Sequence, residues 1–137
     1  EATIPTCYTI GLDSINRMVE KLEAFPWPVY KIKLGTDQDL EIIQALRAVT
    51  ASPFRVDANT GWTYEQALQL IPKLADLGVE FIEQPLKATD WESHYQLRER
   101  VELPLIADES CQTADDITAC AQAFAGINIR YVRHVIN

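Results

Sequence analysis

The chain has 137 residues, 47% of them hydrophobic and 23% charged, a balance typical of a single globular domain and unlike that of a disordered protein. Its net charge of -8 and the scatter of its 12 Lys and Arg residues argue against a nucleic-acid partner, which would need a basic surface. The apolar runs are far shorter than the roughly 20 residues that cross a bilayer, so we also expect no membrane partner.

Short β-rich segments alternate with segments of helical period, and this order occurs five times before a sixth strand near the end of the chain. Such alternation is typical of a parallel α/β fold. The pattern alone does not decide between a doubly wound sheet and a (β/α)8 barrel. The predicted strands lie near residues 7–10, 29–34, 54–57, 80–84, 104–108 and 127–132.

Two of the predicted helices carry clear terminal signals. The first follows a cap at Asp13 or Ser14, where apolar residues begin to recur at helical spacing. The third starts with a capping box formed by Thr63 and Gln66. Gly78 marks a left-handed stop at its end, and Pro72 inside it predicts a kink or an early break.

A charged residue closes each strand from the second to the sixth, at intervals of 22 to 26 residues. In parallel sheets the loops at the C-terminal strand ends form the functional site. The charged residues at these strand ends are therefore candidate functional-site residues. Any one acid alone is more often a solvated loop residue or a helix cap. The candidates are Lys33, Asp57, Glu83, Asp108 and Arg130.

The three acids among them indicate a metal site if their strands are adjacent. Asp57, Glu83 and Asp108 would then face one mouth, where unscreened carboxylates repel each other. Three hard oxygen ligands suit Mg²⁺, whereas zinc favours His or Cys. Lys31 and Lys33 flank Ile32 and so project to the same face of the second strand, although Lys31 could equally be a structural cation paired with an acid.

Other polar residues receive no function from the sequence. His94 and His134 are expected to be exposed. Cys7, Cys111 and Cys120 lack the paired spacing of a metal site, and the first residues do not have the order of a signal peptide. We therefore expect a protein of the reducing cytoplasm.

Four segments carry a resemblance to a known family. KIKLGTD from Lys31, RVDANTGW from Arg55, FIEQPL from Phe81 and LIADES from Leu105 resemble, in order and spacing, the motifs of the muconate lactonizing subgroup of the enolase superfamily. The resemblance implies an incomplete (β/α)8 barrel of TIM type, spanning about the first six strands. Residues 1–137 would be part of that C-terminal barrel domain without the N-terminal capping domain, with residues 130–137 atypical.

The resemblance also implies roles for the charged residues. Asp57, Glu83 and Asp108 would bind Mg²⁺, Lys33 would be the base on one face of the substrate, and Lys31 would help to neutralise the substrate carboxylate. Enzymes of this superfamily remove a proton next to a carboxylate, and the metal with nearby ammonium groups stabilises the resulting charge.

Within the subgroup, TIPTCYTIGLDS and ADESC most resemble dipeptide epimerases of the L-Ala-D/L-Glu type. In those enzymes a second base, a lysine, follows Asn-Ile on the sixth strand, but here Arg130 follows Asn128 and Ile129. Arginine keeps its proton and is a poor base. Three interpretations of Arg130 therefore remain open. The enzyme transfers a proton on one face of the substrate only, Arg130 acts as a cation, or the tail has an altered reading frame.

The expected function is a magnesium-dependent epimerase or racemase acting on a small carboxylate, most simply a dipeptide. Two alternatives remain: another enzyme of the subgroup, such as a cycloisomerase or an o-succinylbenzoate synthase, or an inactive partial barrel. The sequence leaves the oligomeric state open, and a homo-oligomer is compatible with it.

Overall fold

The computed structural model describes residues 6–129. In this part of the chain, six short strands form one parallel sheet, which confirms the predicted α/β class. Each strand lies within a few residues of its predicted position. The strands are Tyr8–Ile10 (β1), Tyr30–Lys33 (β2), Phe54–Asp57 (β3), Val79–Glu83 (β4), Leu105–Ala107 (β5) and Gly126–Ile127 (β6).

Helices connect the successive strands. The first begins after Ser14, whose side chain accepts a hydrogen bond from the amide of Arg17. Ser14 is one of the two residues predicted as its cap. A 3-10 turn, Ala114–Asp116, precedes the last helix. The helices are Ile15–Ala24 (α1), Asp39–Val49 (α2), Tyr64–Asp76 (α3), Trp91–Arg98 (α4) and Ile117–Ala123 (α5).

The strand order decides what the sequence pattern left open. The sheet runs β1-β2-β3-β4-β5-β6, so each strand pairs with its neighbours in the sequence. A doubly wound sheet would reverse direction at a switch point, whereas a (β/α)8 barrel adds its strands in sequence order. The register aligns Lys33 with Asp57 and Asp57 with Glu83, which brings the charged strand ends to the same edge.

The hydrophobic core lies on the face of the sheet that the helices cover. Ile32, Val56 and Ile82 alternate with charged or partly exposed residues along their strands, and each is fully buried. Helix residues such as Leu46 and Leu74 complete this core. The alternation of strand side chains therefore buries apolar groups on one face and directs charged groups to the other.

Helix α3 confirms two of its three predicted signals. Thr63 and Gln66 form a reciprocal capping box, and Gly78 has a φ of 80° just beyond the helix. Of the two expectations at Pro72, the early break is wrong, because the helix continues to Asp76, and the kink stays a prediction. Pro72 itself is exposed, while its neighbours Ile71 and Leu74 are buried in the core, so their packing holds the helix past the proline.

No helix in residues 6–129 combines the length and the apolar character that a membrane-crossing segment needs.

A close backbone approach joins the loops that follow β2 and β3. Gly35 has a φ of 110°, and a Cβ built on it would lie 2.6 Å from the carbonyl oxygen of Ala58. A Cβ on Gly61 would lie 2.6 Å from the Cα of Gly35. Both positions therefore require glycine. The contact holds the end of β2, with Lys33, against the end of β3, with Asp57.

We expect Gly35→Ala to lower the free energy of unfolding by about 1 to 3 kcal/mol, the usual cost of an unfavourable φ, and by more if Ala58 cannot move. Gly11→Ala is the matched control, because a Cβ at Gly11 meets nothing within 4 Å. Urea unfolding followed by circular dichroism measures both variants. Equal stabilities of the two variants would contradict the proposed backbone contact.

Candidate metal centre

Three carboxylates meet at the C-terminal edge of the sheet. Asp57 and Glu83 are the last residues of β3 and β4, and Asp108 directly follows β5. One carboxylate oxygen from each lies within 4.8 Å of the others. The side chains are buried, with relative exposures of 0%, 3% and 7%. The structure thus brings together the three acids that the sequence placed at one mouth.

Two lysines from β2 lie beside these acids. The Nζ of Lys31 is 2.7 Å from Glu83 Oε2 and 3.3 Å from Asp57 Oδ2. The Nζ of Lys33 is 2.5 Å from the same Asp57 oxygen. Both lysines therefore project to one face of β2, as predicted from their spacing. Lys31 pairs with two acids, so this geometry suits both a structural role and a role in substrate binding.

The two neighbouring acids have opposite pKa shifts. Burial raises the pKa of Asp57, but the hydrogen bond from Lys33 and the charges of both lysines outweigh it, so this pKa is lowered. Burial also raises the pKa of Glu83, and the hydrogen bond from Lys31 does not offset burial and the nearby charge of Asp57. The pKa of Glu83 therefore stays above its ordinary value. Further positive charge beside Glu83 would favour its ionised form.

Lys31 is held in its charged form. Burial lowers its pKa, but the hydrogen bond to Glu83 and the charges of Glu83 and Asp57 have a larger combined effect and raise it. An ammonium group of this kind balances negative charge and does not act as a base.

Backbone and amide groups hold the acids in place. The amide N–H of Asn59 donates to Asp57 Oδ1 at 3.0 Å. The side-chain Nδ2 of Asn128, just after β6, donates to Glu83 Oε1 at 3.0 Å. The sequence prediction gave Asn128 no role and placed it inside the sixth strand, residues 127–132, whereas the structure ends β6 at Ile127, just before Asn128.

The donor set fits magnesium. Within the part of the chain that the structure describes, the cluster consists of carboxylates, and its oxygens are hard ligands. Mg²⁺ binds oxygen at about 2.1 Å, so the oxygens around one ion lie within roughly 4.2 Å of one another. The three carboxylate oxygens lie within 4.8 Å of one another, which is compatible with this distance. Sites of this type hold the ion by a few carboxylates and leave positions for water and substrate.

A cleft adjoins the carboxylates on the side of β5 and β6. Its volume is about 670 Å³, and Asp108, Glu109 and Asn128 contribute polar groups to its wall. Ile117 and Ile127 contribute apolar surface. This volume lies within the range of small-molecule sites.

Arg130 is the predicted site residue that lies outside the described residues. His134, expected from the sequence to be exposed, lies outside them as well. Residues 6–129 end just before Arg130, at Ile129.

A buried polar cluster behind the acids was missed by the sequence prediction. His94 was expected to be exposed, but it is fully buried against the ring of Phe124, with the ring centroids 4.6 Å apart. Its Nδ1 lies 2.8 Å from the carbonyl oxygen of Asp90. Gln84 and Ser110 complete the cluster. These partners come from distant segments, so helical spacing alone could not reveal them.

Comparisons with known proteins agree with this geometry. A family model described as "Enolase C-terminal domain-like" matches residues 13–131. An L-Ala-D/L-amino acid epimerase of Flavobacterium johnsoniae is 48% identical over 93% of this chain and 38% of its own length. An L-Ala-D/L-Glu epimerase of Bacteroides thetaiotaomicron is 39% identical over 97% of this chain and 36% of its own.

A solved structure of a dipeptide epimerase has a similar fold. The dipeptide epimerase from Enterococcus faecalis, complexed with Mg and the dipeptide L-Leu-L-Tyr, has a TM-score of 0.86 and 34% identity. The match covers 93% of this chain and 38% of that one. The chain thus spans little more than a third of the length of the curated relatives it matches, at 38% and 36%.

The burial of His94 predicts a pH dependence of stability. Burial lowers its pKa from 6.5 and outweighs the opposing hydrogen bond and charge of Asp90. The unfolded chain therefore binds a proton at a higher pH than the folded chain. The contribution of neutral, buried His94 to the free energy of unfolding is complete above pH 6.5. It is lost as the pH falls below 6.5, by up to about 1.4 kcal/mol per pH unit.

Urea unfolding at several values between pH 5 and pH 8 measures this dependence. The matched variant His94→Gln is expected to be less stable at pH 8 and to lose less stability on acidification than the wild type. Parallel stability curves for the two proteins would exclude His94 as the source.

Proposed function

Since the chain belongs to the family of enolase C-terminal domain-like proteins, we propose that it is part of a magnesium-dependent epimerase that moves the proton next to a carboxylate. The proposed substrate class is a dipeptide. The observation that carries the proposal is the convergence of three buried carboxylates, from Asp57, Glu83 and Asp108, beside two lysine ammonium groups.

The relatives support this choice within the family. Those described above are named as epimerases, and one was solved with Mg and a dipeptide. A cycloisomerase, an o-succinylbenzoate synthase or an inactive partial barrel could use the same carboxylates, but these names favour the epimerase. Because the chain spans 38% of the Flavobacterium relative, activity is proposed for the complete protein.

In this proposal Asp57, Glu83 and Asp108 hold the ion. When bound, Mg²⁺ supplies an electrophile that stabilises negative charge on a substrate carboxylate. The three acids lie at adjacent strand ends, so the sheet fixes their relative positions. Their burial excludes water from the charged groups and strengthens their interaction with a cation.

The lysines have different proposed roles. Lys33 first releases its ammonium proton to water and then, as the neutral amine, receives the proton from the substrate carbon. Its contact with Asp57 Oδ2 keeps its Nζ at the edge of the site. Lys31 stays protonated between Glu83 and Asp57 and balances the charge that forms when the proton leaves. An interaction that is stronger in the transition state than in the bound substrate lowers the energy barrier. An interaction that is equally strong in both states does not.

Epimerisation also needs a proton donor on the opposite face of the substrate. The resemblance to dipeptide epimerases places Arg130 where those enzymes carry a lysine. Since arginine keeps its proton, we propose that Arg130 acts as a cation near the substrate and not as a base. The proton exchange on the second face then requires another residue of the complete protein. An altered reading frame after Ile129 is the alternative for this position.

We also propose a cytoplasmic location. Cys7, Cys111 and Cys120 are free thiols, and free thiols persist in a reducing compartment.

The metal site is tested with Asp57→Asn. This change removes a buried ligand charge, so we expect the calorimetric signal of Mg²⁺ binding, one ion per chain in the complete protein, to be lost. Glu80→Gln is the matched control, because Glu80 lies on β4, is partly exposed and pairs with Arg55 away from the three acids. Equal Mg²⁺ affinities of the two variants would contradict the ligand assignment.

The reaction is tested with L-Ala-L-Glu in deuterated water and magnesium. We expect deuterium at the Glu α-carbon, and a loss of exchange of about 100- to 10,000-fold in Lys33→Met, the usual effect of removing a general base. Lys73→Met, an exposed change on α3, is the control. Nuclear magnetic resonance and chiral chromatography measure the products.

The stereochemistry of the product tests the role of Arg130. Deuterated L-Ala-D-Glu requires a proton donor on the second face, whereas deuterated L-Ala-L-Glu alone indicates exchange on one face. If the complete protein forms no L-Ala-D-Glu, with or without deuterium incorporation, dipeptide epimerisation is rejected.

A further inference from the structure

Gln84 occupies an unusual position directly after the ligand Glu83. Its side chain is fully buried, and its φ is 42°, in the left-handed region that side chains other than glycine rarely adopt. A strained backbone of this kind persists only where surrounding contacts hold it. Gln84 therefore has contacts strong enough to offset the strain.

The side-chain carbonyl of Gln84 ties β4 to the loop after β5. Its Oε1 accepts hydrogen bonds from the backbone amides of Asp108 and Ser110, both at 3.0 Å. The first of these amides belongs to a proposed metal ligand. Asp108 lies one residue beyond the β5 strand, so this bond fixes its backbone where the strand no longer does.

The backbone of Gln84 contacts β5 and the loop after β3. Its amide donates to the carbonyl of Ile106 at 2.8 Å, and its own carbonyl accepts from the amide of Thr60 at 2.8 Å. Thr60 belongs to the loop that starts at Asp57, and it too has a positive φ, of 65°. One residue thus contacts the segments that carry all three carboxylates.

The orientation of the Gln84 amide is fixed by acceptors on its other side. Its Nε2 donates to Ser110 Oγ at 2.8 Å and to the carbonyl of Leu86 at 3.2 Å. Ser110 Oγ in turn donates to the carbonyl of Ala88 at 2.8 Å. The hydroxyl proton is therefore already used, so Ser110 Oγ serves Gln84 as an acceptor.

His94 packs behind this amide. Its Nδ1 faces the carbonyl of Asp90 and must carry the proton, so its Nε2 accepts from the backbone amide of Leu86 at 3.4 Å. Burial lowers the pKa of His94 and so favours this neutral form. A glutamate at position 84 would direct an oxygen at the carbonyl of Leu86, so the amide chemistry of glutamine is specifically required.

We propose that Gln84 is a positioning residue that sets the separation of the carboxylates of Asp57, Glu83 and Asp108 for one divalent cation. It acts through the backbones of the strand ends and does not contact the ion. This inference rests on the proposed function, since it assigns Gln84 a role in the same metal site. Replacing Gln84 should therefore weaken metal binding by more than a general loss of stability would.

The test compares two buried changes in the complete protein. Gln84→Met keeps the side-chain size but removes every side-chain hydrogen bond, so we expect the dissociation constant for Mg²⁺ to rise about 10- to 100-fold, as for other groups that orient metal ligands. Tyr30→Phe is the matched control. It removes the buried hydroxyl that bonds Phe25 and Trp27 near the opposite end of β2.

Isothermal titration calorimetry with Mg²⁺ is carried out well below both melting temperatures. We expect both variants to melt earlier than the wild type and Gln84→Met alone to lose affinity. If Gln84→Met does not fold, Ser110→Ala decides, because it removes the hydroxyl that orients the Gln84 amide. It should then weaken Mg²⁺ binding more than Tyr30→Phe does.

The outcomes separate this inference from the proposed function. Wild-type protein that binds no Mg²⁺ overturns both. Wild-type binding with an unchanged affinity in the Gln84 variant, or in Ser110→Ala if that variant decides, overturns the positioning role and leaves the metal site intact. An equal loss of affinity in Tyr30→Phe also overturns it, because the effect would then follow from stability.

Discussion

Mutual repulsion among three buried carboxylates is the constraint on which this structure depends. Two such charges 4 Å apart repel by about 4 kcal/mol at an effective dielectric constant of 20, and burial removes the water that would screen them. Lys31 and Lys33 offset part of this energy through their contacts with Asp57 and Glu83. A protein that only needed a stable sheet would gain by replacing such a cluster with apolar residues. The cluster could hold a cation, whose charge would offset the repulsion.

The fold supplies this arrangement through alternation and close loop packing. Ile32 turns toward the core while Lys31 and Lys33 on either side turn toward the acids. The backbone contact between Gly35 and Ala58 brings the loops after β2 and β3 together at the same edge. Positive φ values occur beside the acids, at Asn59, Thr60 and Gln84. This clustering of backbone strain is typical of sites whose geometry serves function more than stability.

The sequence predicted the features that depend on local spacing. Period-2 and helical patterns located the strands, and charged strand ends located Asp57, Glu83 and Asp108, because parallel strands bring their C-terminal ends to one edge. The order of the strands required the structure, since pairing depends on contacts between distant segments. Gln84 and His94 were missed for the same reason. Their partners lie up to 26 and 30 residues away, at Ser110 and Phe124, and a buried polar residue looks like a surface residue in a sequence.

Short strands explain why a buried amide is needed behind the acids. β5 has three residues and β6 has two, so their ladders hold only a few hydrogen bonds. The β5 ladder ends before Asp108, which must hold its carboxylate within a few tenths of an ångström for a small octahedral ion. The two bonds to Gln84 Oε1 contribute to this restraint. Because they come from the residue after Glu83, movement of one carboxylate is coupled to movement of the other, and the pair behaves as one preorganised unit.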